Sequence, residues 1–185
     1  MELDINLDEL ISPDVLIAGF ETEDEIGCAL RLHLAFEKLI EFYIKNTATP
    51  EVLKFVETTN EYSEKLRRAV LLGLPLKIAQ VGKHLGQIRN KMAHEQASVN
   101  PDKVKVLIKS IDDLLSETDQ PTPVAQRKME LPVKFPGETI QVGTHGNIFD
   151  FMIAAGTAYH CASMLIIKDV MIRKASEQLS KNTPS

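Results

Sequence analysis

The chain has no tryptophan, and aromatic residues make up only 5% of its 185 positions. A nucleic-acid platform built from stacked rings is therefore excluded as the main recognition device. Cysteine is equally scarce. Cys28 and Cys161 both fall inside apolar helical patterns without metal-ligand spacing, so they read as buried reduced thiols. The five histidines are scattered, and no His-Glu-x-x-His pair occurs. Gly-Lys-Ser/Thr of a phosphate loop and Gly-x-Ser-x-Gly of a nucleophile elbow are missing too, which removes most other enzyme classes and leaves no cofactor or metal to expect. Excess positive charge is also lacking: the net charge is -5, against broad phosphate-driven binding of nucleic acid. Met1 to Leu10 carries no charged-then-apolar leader, so a cytoplasmic location is expected.

What the chain does have is helical periodicity. Ile78, Val81, Leu85, Ile88 and Met92 recur at alternating spacings of three and four, the mark of a helix whose stripe faces a core. On the same helix Lys83, Gln87, Asn90 and His94 fall on the opposite side, while Arg89 sits at the edge of the stripe. Asn90 and His94 are i,i+4 neighbours. Arg89 and His94 point about 140° apart on an ideal helix, so a site using both is most simply assembled across an interface between two copies of the chain.

Further helices surround this one. Thr22 followed by Glu25 reads as a capping box opening a long helix to Asn46, with Ile26, Ala29, Leu30, Phe36, Leu39, Ile40, Tyr43 and Ile44 covering half its circumference. His33 and Glu37 form an i,i+4 pair at the border of that face. They read first as a self-satisfying pair inside the bundle, and alternatively Glu37 orients His94 or Arg89. A short helix over Tyr62 to Leu72 stops at Gly73, and Pro75 restarts the chain. Arg67 and Arg68 are surface charges there, either of them able to lean toward a small basic groove at Lys83, Arg89 and Lys91. Asn100-Pro101-Asp102 caps a helix to about Glu117. Four helices over 21–117 thus form an all-α, up-down bundle.

Residues 118–146 change character, with Pro121, Pro123, Pro132, Pro136 and three glycines. This is a connecting loop in which Lys128 to Phe135 and Thr139 to Val142 allow a small β-hairpin, confined by Pro132 to an edge. His145 reads as a loop residue. From Asn147 to about 180 runs a long apolar helix. Its Phe151 to Ile167 stretch sits at the short limit for a membrane span and contains His160, so a buried bundle helix is expected, with no membrane. Ala154, Ala158 and Ala162 form a row suited to close helix approach, and His160 reads as a core or interface residue. The whole of 1–185 is expected to form one domain.

Arg89-Asn90-Lys91-Met92-Ala93-His94, at the end of the seam helix, resembles the Arg-Asn-x-x-x-His signature of HEPN domains. Ser63-Glu64-Lys65-Leu66 through Leu72-Gly73-Leu74, together with Ile88 to His94, is similar to the mannitol operon repressor branch and related HEPN-like families. The resemblance covers roughly Thr22 to Glu117. In the catalytic branch it implies a homodimer that cleaves RNA without metal, of toxin or defence type. His94 would be the acid or base, Arg89 the phosphate ligand and Asn90 their support, with Glu37, His33, Lys83 and Gln87 as supporting residues. In the other branch it implies a non-catalytic regulator or immunity protein that binds another protein, the motif being mainly structural. An imidazole suits proton transfer near neutral pH, and a guanidinium fork matches phosphate oxygens.

Overall fold

Three long amphipathic helices and one apolar helix must withdraw their apolar surface from water, and they do so against one another. The computed structural model of the chain describes residues 7, 10, 13–22, 24–55, 61–95, 98–119 and 121–182. In chain order its helices are α1 (Pro13–Phe20), α2 (Glu25–Thr47), α3 (Pro50–Phe55), α4 (Tyr62–Leu71), α5 (Leu76–Glu95), α6 (Pro101–Leu115) and α7 (Asn147–Asn182). A short helix that the sequence also allows near Leu7 to Ile11 falls largely outside the described residues.

The square of the bundle is α2, α5, α6 and α7: α2 packs on α5 and α7, and α6 packs on the same two. This differs from the sequence expectation, in which α4 belonged to the square and α7 was an addition to it. α4 is only ten residues long and buries Leu66 and Ala69, so it lies on α2 and α5 instead. The fourth wall falls to α7, whose 36 residues span about 54 Å. Ala154, Ala158 and Ala162 are fully or almost fully buried in it, the close-approach row that the sequence suggested. By length and composition α7 could cross a membrane, yet 61% of its most apolar window is buried inside the protein. Phe36, Leu39, Ile40 and Tyr43 of α2 meet Ile78, Val81 and Leu85 of α5 in a single apolar cluster with Leu107, Ile111 and Leu114 of α6.

The caps show where local chemistry sets the boundaries. α2 begins two residues later than the Thr22 capping box implied, because Asp24 is its N-cap: the carboxylate accepts from Ile26 N at 3.1 Å, while Thr22 Oγ1 accepts from Asp24 N. Asn100 caps α6 as expected, its side chain accepting from the amides of Asp102 and Lys103. Gly73 ends the α4 segment at φ +101°, a conformation that a side chain strains. Leu72 O just before it accepts from Arg173 Nη1 (3.1 Å) and from the Tyr43 hydroxyl (3.4 Å), and Arg173 also pairs with Asp169 at 2.7 Å. The elbow between α4 and α5 is thereby fastened to α7.

The Pro/Gly-rich loop does contain an antiparallel pair, reduced to β1 (Lys128–Met129) against β2 (Ile140–Gln141). The rest of the expected hairpin is turn, since Pro132 and Pro136 remove ladder donors. Glu21 holds the loop by accepting from the Val133 and Lys134 amides, and Lys134 Nζ donates to Thr22 O. His145 lies between Thr144 and Glu138, edge-on to Phe135 and Phe149, in the loop role that its Gly-rich context suggested. Cys28 and Cys161 are buried free thiols, and burial pushes Cys28 up to about 12. His160, expected in a core or interface, is exposed on the single chain because it stands opposite the buried Ala154-Ala158-Ala162 row.

Two glycines on α5 let α4 come close. A methyl group at Gly82 would stand 2.6 Å from the Tyr62 hydroxyl and 2.9 Å from the Phe36 ring; at Gly86 the nearest atoms would be 3.2 Å or more away. Ala is worth about 1 kcal/mol over Gly in a helix interior, and overpacking costs about 1–3 kcal/mol. Gly82→Ala should therefore lower unfolding stability by about 1 kcal/mol net, whereas Gly86→Ala should be neutral or mildly stabilising. Chemical denaturation of both variants checks the pair; an equal response at the two positions would contradict the Phe36 contact.

Candidate functional site

The polar face of α5 is where the periodicity placed it. Lys83, Gln87, Asn90 and His94 are exposed, Arg89 is half-buried at the stripe's edge, and Ile78, Val81, Leu85, Ile88 and Met92 are buried. Beside that face, α4, α5 and α2 enclose a groove of about 960 Å³. Six of the seven residues singled out in the sequence line it: His33, Glu37, Lys83, Gln87, Arg89 and Asn90. His94 does not. It stands past the groove's end, with exposed side chain, in the last turn of α5.

Arg89 Nη1 donates to Asn90 Oδ1 at 2.8 Å, so the second residue of the motif steadies the first. Arg89 and His94 do not meet within one chain, as their separation around the helix required. The motif is thus split into an Arg–Asn pair on the groove and a free-standing imidazole beyond it.

Glu37 orients neither of them. Its carboxylate accepts from Lys65 Nζ at 2.6 Å, and Lys65 also reaches Glu41 at 2.5 Å. The self-satisfied His33–Glu37 pair is likewise corrected: Nδ1 lies 3.9 Å from Glu37 Oε2, beyond hydrogen-bond reach. An ammonium held at 2.6 Å outbids a neutral imidazole for the carboxylate. His33 is only 3% exposed, and neither ring nitrogen finds a hydrogen-bond partner within the described residues. Burial, then the positive charge of Arg89, lower its pKa to about 4 against the opposing pull of Glu37.

The chain matches no family model, no curated protein and no solved structure. Any functional reading therefore rests on this geometry.

Tyr62, which the sequence reading passed over, packs edge-on to His33 with ring centroids 4.2 Å apart. Its buried hydroxyl also finds no partner among the described residues, and burial raises its pKa. The only sequence signal was the Gly82/Gly86 pair one turn apart on α5, a smooth track for a ring. Arg67, 78% exposed and loosely paired with Glu64 at 3.6 Å, lines the groove, whereas Arg68 Nε bonds Glu64 along α4. Among the described residues no group of three or more metal-ligating side chains converges.

Proposed function

We propose that the protein is an HEPN-like, metal-independent endoribonuclease of the toxin or defence type, cytoplasmic, and active as a homodimer. The observation that carries this reading is the split motif: an Arg89–Asn90 pair bonded at 2.8 Å and an exposed His94 on the same helix that it cannot meet. Two copies apposed along α5 would bring two imidazoles and two guanidiniums to one phosphate. One His94 takes the proton of a ribose 2′-hydroxyl, whose oxygen attacks phosphorus. The His94 of the second copy gives a proton to the departing 5′-oxygen as its bond to phosphorus breaks. Arg89 offsets the charge on the phosphorane, and Asn90 fixes the guanidinium plane. The products are a 2′,3′-cyclic phosphate and a free 5′-hydroxyl.

The shared site has a measurable consequence. When wild-type chain is allowed to exchange subunits with an equal amount of His94→Ala chain, RNA cleavage in chelator should fall to about one quarter per total protein, the fraction of wild-type pairs under random pairing. A fall to only one half would mean that each chain works alone.

A second reading, a non-catalytic regulator or immunity protein like the mannitol operon repressor branch, is favoured by α7. Met164, Met171 and Ile172 are exposed along it, an apolar face suited to a protein partner. In that case a stoichiometric partner should bind His94→Ala as well as wild type and be lost from Ile172→Asp.

A further inference from the structure

The α4–α5 groove is polarised along its length. Leu71, 87% exposed, and Leu76, 66% exposed, stand with Val70 and Ala79 at the elbow end. Tyr62, His33, Arg89 and Asn90 stand at the other. From Leu76 to Asn90 the distance along α5 is about 21 Å. Apolar side chains this exposed are ordinary when single, but here they continue inward onto Leu66 and Ala79 as one wall.

Four polar atoms lie buried at the opposite end without hydrogen-bond partners among the described residues: His33 Nδ1, His33 Nε2, Tyr62 Oη and Arg89 Nε. A buried polar group left unpaired is costly, and three side chains with such atoms lining one groove are a built polar end rather than a packing accident. Their character is mainly that of donors: a guanidinium N–H, a phenol and an imidazole N–H. Lys83 adds a charge on the rim. The Glu37 carboxylate, which would repel an anion, is matched by Lys65.

We infer that this groove binds a soluble amphiphile: an aliphatic chain lying over Leu71, Leu76 and Val70, with a phosphate or carboxylate head received by Arg89, Tyr62 and His33. Val70, Leu71, Leu76 and Ala79 at the elbow end include no aromatic ring for a base to stack on, which favours an aliphatic body there over a nucleotide base. The site shares Arg89, and Asn90 bonded to it, with the proposed cleavage chemistry, and its test avoids both residues.

Dodecyl phosphate, kept below its micelle concentration, should bind the full chain at one per protomer with saturation in titration calorimetry. Dodecylammonium should bind at least about tenfold more weakly, because the head would meet Arg89 and Lys83 with like charge. Leu76→Asp, at an exposed position that folding does not depend on, should weaken dodecyl phosphate at least about tenfold. Tyr62→Phe, which keeps the ring on its glycine track and removes only the hydroxyl, should weaken it about fivefold. His94→Ala should leave it unchanged, so failure of the nuclease reading and failure of this one are separable.

The inference is overturned by any of four results. The first is no saturable binding, and the second is equal affinity for the cationic amphiphile. The third is binding indifferent to both Leu76→Asp and Tyr62→Phe. The fourth is a dimer that Leu76→Asp dissociates while dodecyl phosphate has no effect, which would give the groove to a second copy of the chain. Anionic phosphatidylglycerol vesicles distinguish a free ligand from a membrane surface: the groove predicts monomer binding without vesicle adsorption, and adsorption alone would contradict it.

Discussion

His94→Ala should lower cleavage of RNA in the presence of chelator by about 10²–10⁴-fold, the usual contribution of a positioned proton-transfer group, while leaving the denaturation midpoint unchanged. The first half of this expectation rests on the proposed function and the second on geometry. The ring is exposed in the final turn of α5 and contributes nothing to the apolar cluster, so its removal leaves no cavity. Gel analysis of labelled RNA against unfolding curves of the same preparations checks it. Cleavage that survives the substitution would remove His94 from the chemistry. Cleavage lost together with stability would mean that the imidazole holds structure instead. Asn90→Ala should cost less than His94→Ala, since in the proposed mechanism Asn90 acts only by steadying Arg89 through the 2.8 Å bond.

The largest expected effect on stability belongs to His33. In the folded chain its pKa is about 4, against 6.5 for an ordinary histidine, so between these values the unfolded chain takes up a proton that the folded chain does not. Stability is therefore full above about pH 6.5 and falls as pH drops toward 4, below which both forms carry the proton and the loss stops growing. A gap of this size corresponds to roughly 3 kcal/mol. The groups facing the ring are Glu37, Lys65, Arg89 and Tyr62, and Glu37 alone favours its charged form. His33→Phe keeps the ring volume and cannot titrate. Denaturant unfolding from pH 7.5 to 4 should show wild type losing on the order of 3 kcal/mol more than the variant. Carboxylate titrations common to both cancel in the difference, and parallel curves would refute the assignment.

How much of this was legible in the sequence differs from element to element. The α5 stripe and its polar face could be read directly, because a three-and-four spacing fixes which side chains share a side of the helix. So could the Asn100 cap and the Gly73 stop, whose causes lie within a few residues. Which helices are neighbours is not encoded in any one periodicity, and the exchange of α4 for α7 in the square shows this. Tyr62 and His33 meet from 29 positions apart and Lys65 and Glu37 from 28, which is why the i,i+4 pairing of His33 with Glu37 looked sufficient. Local spacing names the residues that can touch; a distant ammonium decides which of them do.

The fourth wall of the bundle is also the last of the described helices. Tyr43 of α2 reaches its Asp169 partner on α7 across 126 positions. At about 5–20 residues per second of synthesis, α2 leaves the ribosome roughly 6–25 s before that partner does. Throughout this interval the nascent polypeptide carries the oily sides of α2, α5 and α6 uncovered, a client for holding chaperones and unable to complete its hydrophobic interior. A premature stop ahead of Val170, the last buried residue described in α7, would make that transient state permanent, so such truncations should emerge as aggregates rather than as smaller working proteins.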